Sequence, residues 1–107
     1  MSNNTFISIS TPSGAFQAFV ARPSVEPAPA VVVIQEIFGI NEDLKATCLE
    51  LADRGYIAVC PDLFWRLEPG VSLSHWSDDE WKKGLALYAA FDLDTGVKDI
   101  EATLQAA

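Results

Sequence analysis

The chain has 107 residues, 50% hydrophobic and 21% charged, a balance that excludes a disordered acidic tail and suits one small globular domain. Seven Lys and Arg against fifteen Asp and Glu give a net charge of −8, which repels phosphate backbones and anionic headgroups and argues against nucleic-acid and membrane partners. No apolar run approaches the ~20 residues of a spanning helix. The first residues hold no basic region followed by an apolar one, and Cys48 and Cys60 lack both zinc spacing and the density of a disulfide scaffold, so a cytoplasmic protein with free thiols is expected.

From Thr5 to Ser10, Ile7 and Ile9 alternate with Ser8 and Ser10, the period of a strand. Thr11-Pro12-Ser13-Gly14 is a turn, because proline presets φ and glycine accepts positive φ, and it predicts a hairpin. The second arm, Ala15 to Ala21, puts Phe16, Ala18 and Val20 on one side and Phe19 on the other, so neither face should be wholly wet. Pro23, Pro27 and Pro29 mark a loop. The continuous β-branched run from Ala30 to Ile34 then predicts a central strand buried on both faces.

Asn41 is placed to cap a helix, with Glu42 and Asp43 in its first turn, an apolar stripe of Leu44, Cys48, Leu51 and Ala52, and a stop at Gly55. Tyr56 to Cys60 reads as a second buried strand, parallel to the first in a βαβ unit. After a loop to Trp76, Ser77-Asp78-Asp79-Glu80 fits a capping box opening a helix with Trp81, Leu85 and Tyr88 at helical spacing. A last helix, about residues 94–105, should turn Val97, Ile100 and Leu104 to one side. The fold class is α/β.

Glu36 follows directly on the Ala30 to Ile34 run, and parallel sheets bind ligands just beyond the C-terminal ends of their strands. Its Val, Ile and Phe neighbours should disfavour the charged form by desolvation unless a cation or hydrogen-bond donors offset it. A carboxylate that only fixes the loop through backbone N–H groups is the competing reading. Cys60 and Cys48 read as core thiols. Ser74 and His75 are adjacent on extended chain and point apart, which argues against a dyad, and a single histidine without clustered ligands predicts no metal site. Gly39 is the only glycine of the strand-to-helix turn, so dinucleotide and P-loop patterns are absent and no cofactor is expected. Asp78-Asp79-Glu80 suits a helix N-terminus better than a calcium loop.

Three ordered blocks carry a resemblance. Gln35-Glu36-Ile37-Phe38-Gly39 with Asn41, Gly55-Tyr56 leading into Val59-Cys60-Pro61-Asp62-Leu63, and Ala90-Phe91-Asp92 with Gly96-Val97 and Asp99 resemble the N-terminal half of the dienelactone hydrolase family. The resemblance implies a three-layer α/β-hydrolase fold that opens enol-lactones such as dienelactone to maleylacetate with a Cys-Asp-His triad. It also implies that Glu36 pairs with the nucleophilic cysteine and that the Ile37 backbone N–H supplies part of the oxyanion hole. The family's Gly-x-Cys-x-Gly elbow lies on the strand after the last helix seen here. The 107 residues hold neither that elbow nor Gly-x-Ser-x-Gly, so no triad chemistry is expected of them alone.

Family arginines hold the substrate carboxylate, and one of them falls at Trp81. Phe38, Arg66, Trp81 and Tyr88 are the candidate substrate-binding side chains, set against core packing for Trp81 and Tyr88 and a surface ion pair for Arg66. The expected partner is a small-molecule ester or lactone. The competing hypothesis is a truncated fragment or half-domain that acts only by assembly, because the family's nucleophile strand pairs beside Ala30 to Ile34 and its absence would leave an edge open to self-association.

Overall fold

The computed structural model describes residues 3–106. β1 (Asn3–Thr11) and β2 (Gly14–Arg22) form the predicted hairpin, antiparallel from Asn3 opposite Arg22 to Thr11 opposite Gly14. The turn is closed by Thr11, whose Oγ1 accepts from the Ser13 N–H at 3.2 Å and donates to the Gly14 carbonyl at 2.8 Å. β2 is buried on both sides: Phe16, Ala18 and Val20 pack with Ile9 and Val59, while Phe19 and Ala21 pack toward Cys48 and Ala52.

The sheet order is β1-β2-β4-β3, with β3 at Ala30–Val32 and β4 at Ile57–Pro61. α1 (Glu42–Asp53) links β3 to its parallel neighbour β4, as the βαβ pattern predicted. The expectation of a central strand at Ala30 to Ile34 is corrected. β4 is the central one, pairing with β2 on one side and β3 on the other, and its residues from Ala58 to Pro61 are buried. β3 is only half-buried, and Ile34 beyond it is 49% exposed. Its regular pairing is short, although the Val33 N–H still donates to the Val59 carbonyl at 2.8 Å. Apolar composition signals affinity for burial but not lateral order, and among the described residues β3 has a neighbour on one side only.

α1 forms as its sequence directs. Asn41 Oδ1 accepts from the Leu44 N–H at 3.0 Å, and Gly55, at φ +98°, takes the left-handed conformation that ends the helix. Cys48 and Cys60 are buried free thiols in one core cluster, and their mutual hydrogen bond, together with burial, pushes the Cys60 thiol far up, keeping it protonated and inert.

The last two helices, α2 (Asp78–Ala90) and α3 (Leu93–Ala106), form where expected but present other faces. The stripe of Trp81, Leu85 and Tyr88 is largely exposed, and the one buried residue of α2 is Gly84. α3 buries Gly96, Asp99 and Thr103 and leaves Val97 and Leu104 46% and 57% exposed. Helical spacing reports a stripe; a specific partner decided which stripe turns in. Asp99, 1% exposed, accepts from Trp65 Nε1 at 2.9 Å and from Arg66 Nε and Nη2 at 3.1 and 2.9 Å. That fork ties α3 to the loop leaving β4, and the Phe91 ring rests on Gly96 where no side chain intervenes. With α1 against β2 and β4 on one face and α3 against β1 and β4 on the other, the layers are α/β/α.

The segment between β3 and α1 is clamped from two sides. Gly39, at φ +73°, lies so close to the Val71 carbonyl that a Cβ would collide with it. The Phe38 carbonyl accepts from the Leu73 N–H at 2.8 Å, and Ile40 N–H donates to the Val71 carbonyl at 3.2 Å. From the other side α2 presses in at Gly84, where a Cβ would stand 2.8 Å from the Ile37 carbonyl oxygen. The capping box is half-formed: the Ser77 hydroxyl accepts from the Glu80 N–H at 3.4 Å, but the Glu80 carboxylate accepts from the Ser74 N–H at 3.1 Å and so braces the loop against the start of α2. Asp62 pins the intervening loop by accepting from Phe64 and Gly70 at 3.3 and 2.8 Å, although burial pushes its carboxyl above the usual range.

Two stability measurements check these contacts. Gly84→Ala gains ~1 kcal/mol of helix propensity but forces a backbone carbonyl to move, so a net loss of about 1–2 kcal/mol in urea unfolding is expected; a stabilised variant would mean α2 does not press on Ile37. Arg66→Ala leaves the Asp99 carboxylate buried and under-paired and should cost about 3 kcal/mol, discounted toward 2 because the arginine is partly solvated.

Candidate active site

The clamped segment delivers Glu36, Ile37 and Phe38 to the C-terminal end of β3, where Gln35 anchors them by accepting from the Leu63 N–H at 2.8 Å. Asn41 serves twice, capping α1 with its oxygen and donating through Nδ2 to the Leu73 carbonyl at 2.9 Å. The 72–77 loop is thereby held against the start of α1.

A cleft of about 370 Å³ opens between them, and Glu36, Phe38, Asp43, His75 and Trp81 line it. Trp81 stands edge-on to Phe38, ring centroids 4.9 Å apart at 87°, and its Nε1–H donates to the His75 carbonyl at 2.6 Å. His75 Nδ1 lies 3.6 Å from Asp43 Oδ2 across the cleft. A second hollow of about 220 Å³, almost wholly apolar, is lined by Glu36, Ile37, Tyr88, Phe64 and Phe91. Glu36 borders both.

The structure therefore brings Glu36, Phe38 and Trp81 together in one hollow and Glu36, Ile37 and Tyr88 in the other, while Arg66 lines neither. Its guanidinium engages Asp99, beside a small hollow with Leu63 and Phe91. The expected apolar enclosure of Glu36 is corrected. Its side chain is exposed, because in a turn the buried Phe38 and half-buried Ile37 point elsewhere than their neighbour.

Sequence reasoning missed Asp43 and His75 as cleft residues. Asp43 reads as a first-turn carboxylate and His75 as a loop residue, and no local pattern links them; only the docking of the 72–77 loop on α1 does. The Ser74 hydroxyl accepts from the Trp76 N–H at 3.1 Å. Among the described residues, no group of three or more His, Cys, Asp or Glu is arranged to hold a metal ion, and no helix is long and apolar enough to cross a membrane.

Comparison with known proteins points to one family. The family model described as "Dienelactone hydrolase family" matches residues 16–107. A carboxymethylenebutenolidase of Pseudomonas putida is 42% identical over 102 residues, covering 94% of this chain and 43% of that protein. Carboxymethylenebutenolidase 1 of Cupriavidus pinatubonensis is 38% identical over 94 residues, covering 88% of this chain and 40% of its own length. The chain thus spans about two fifths of the relatives it matches. The solved structure named m3DLH superposes with a TM-score of 0.69 over 99% of this chain and 44% of its own, at 21% identity, a likeness of fold. By the family match and these relatives, with an α/β-hydrolase arrangement of strands and helices, the chain belongs to the dienelactone hydrolase family.

Proposed function

We propose that these 107 residues are the part of a carboxylic ester or lactone hydrolase that carries Glu36 and the oxyanion loop. The observation that supports this most directly is the rigid delivery of Glu36 and Ile37 to the C-terminal end of a parallel strand, at the shared rim of two hollows. In this reading Glu36 pairs with the nucleophile's thiol and draws off its proton, and the Ile37 N–H donates to the carbonyl oxygen as charge develops on it. Ile37 is suited to that task because its carbonyl, on the following peptide unit, is held against α2 at Gly84, which limits rotation of the residue that carries the N–H. Phe38, Trp81 and Tyr88 form the aromatic walls, and Arg66 acts at a distance by holding α3. The unpaired thiols Cys48 and Cys60 support a reducing, cytoplasmic setting.

The nucleophile is not among these residues, so the chain by itself should not turn over p-nitrophenyl acetate or an enol-lactone above background. Turnover abolished by Cys60→Ser or His75→Ala would overturn that. In a hydrolase carrying these residues together with a nucleophile strand, Glu36→Gln should lower kcat at least about tenfold with unfolding unchanged; an unaltered rate removes Glu36 from the mechanism.

A second reading, assembly with another copy, is favoured by β3. Because the Val33 N–H donates to Val59 on β4, the alternation of an extended chain turns the N–H of Val32, and beyond the strand that of Ile34, away from β4, and among the described residues no strand pairs with that edge. Light scattering should detect association that grows with concentration, and the Val32 and Ile34 amides should gain hydrogen-exchange protection with it. A monomer at tens of micromolar with both amides already protected contradicts an open edge.

A further inference from the structure

We propose that Gln35 is a positioning residue whose side-chain amide orients and polarises the peptide between Glu36 and Ile37, so that the Ile37 N–H is aimed before the reaction begins. The inference deepens the reading of that N–H as an oxyanion donor and rests on it. A peptide is one planar unit, so whatever fixes the Glu36 carbonyl also fixes the Ile37 N–H on its opposite edge. Gln35 Nε2 donates to that carbonyl at 3.1 Å, and the Gly39 N–H donates to it at 3.4 Å. The contact at Gly84 restrains the next peptide, the one that begins with the Ile37 carbonyl, so the two devices act on successive units.

The other end of the same amide sets its direction. Gln35 Oε1 accepts from the N–H of Leu63, a buried residue of the loop leaving β4, at 2.8 Å. A backbone N–H can only donate, so the amide oxygen must face Leu63 and the NH2 group is left for the Glu36 carbonyl. The half-buried side chain thereby spans the ends of two adjacent parallel strands, β3 and β4, and transfers the firm position of β4 to the peptide beyond β3. A hydrogen bond accepted by a carbonyl also draws electron density along the peptide, which makes the N–H on its far edge a stronger donor.

Gln35→Glu separates the two halves of the amide, because the introduced carboxylate still accepts from Leu63 but has no proton for the Glu36 carbonyl. In the isotope-labelled 107-residue chain the Glu36 carbonyl carbon should lose the deshielding of an accepted hydrogen bond, and the Ile37 amide should move with it while the amides of β2 and β4 stay in place. In a hydrolase carrying these residues together with a nucleophile strand, kcat for p-nitrophenyl acetate should fall about tenfold and KM should change less than about twofold. The ratio of variant to parent kcat should then rise about twofold from about pH 7 to about pH 5, because a protonated carboxyl donates again. Gln35→Leu, with neither donor nor acceptor, should lose at least as much and show no such recovery. A Glu36 carbonyl resonance unmoved in Gln35→Glu overturns the proposal, as does a kcat ratio indifferent to pH. Moved resonances with an unaltered kcat overturn it through the reading beneath it, since Gln35 would then hold the peptide and the Ile37 N–H would not be the donor.

Discussion

The close approach of backbones around residues 37–40 is the constraint on which the rest of the site depends. Gly39 admits the Val71 carbonyl and Gly84 admits the Ile37 carbonyl, so the turn after β3 is held between a loop and a helix at distances that exclude even a methyl group. A turn gripped in this way cannot trade one conformation for another without moving α2 or the 71–73 loop. Preorganisation of this kind is what an oxyanion donor needs, because its N–H must already point where charge will develop. The cost falls on the sequence, which must keep glycine at a helix interior where alanine would otherwise be preferred.

A buried carboxylate plays the corresponding part on the opposite side of the sheet. Asp99 satisfies three side-chain donors at once, from Trp65 and Arg66, while Thr103 hydrogen-bonds to its carbonyl one turn on at 2.8 Å. Such a group is costly to bury alone and specific when fully partnered, so it dictates the rotation of α3 more firmly than apolar area does. The exposed Val97 and Leu104 follow from that choice. Arg66 is committed to Asp99 and does not line the Glu36 cleft.

These two devices divide the molecule's labour. The Asp99 fork and the apolar faces of β2 and β4 hold the layers together, whereas the glycine contacts and the braces from Glu80, Asn41 and Asp62 shape the rim where chemistry is proposed. Buried side-chain polar atoms among the described residues all find partners, so the loops around the rim are ordered by hydrogen bonds as much as by packing.

Local chemistry was enough to read the hairpin, the capped α1, the parallel βαβ unit and the start of α2, because alternation, caps and glycine stops act within a few residues. The blocks around Glu36, Cys60 and Asp92 were enough to read the family. The ordering of β4 inside β3, the faces of α2 and α3, the exposure of Glu36 and the meeting of Asp43 with His75 were decided only in three dimensions. Each depends on which surface found a partner far along the chain: β2 for β4, Arg66 for Asp99, Ile37 for Gly84, and the 72–77 loop for α1. Periodicity states that a face is apolar, but a buried charge or a missing side chain chooses which face turns inward.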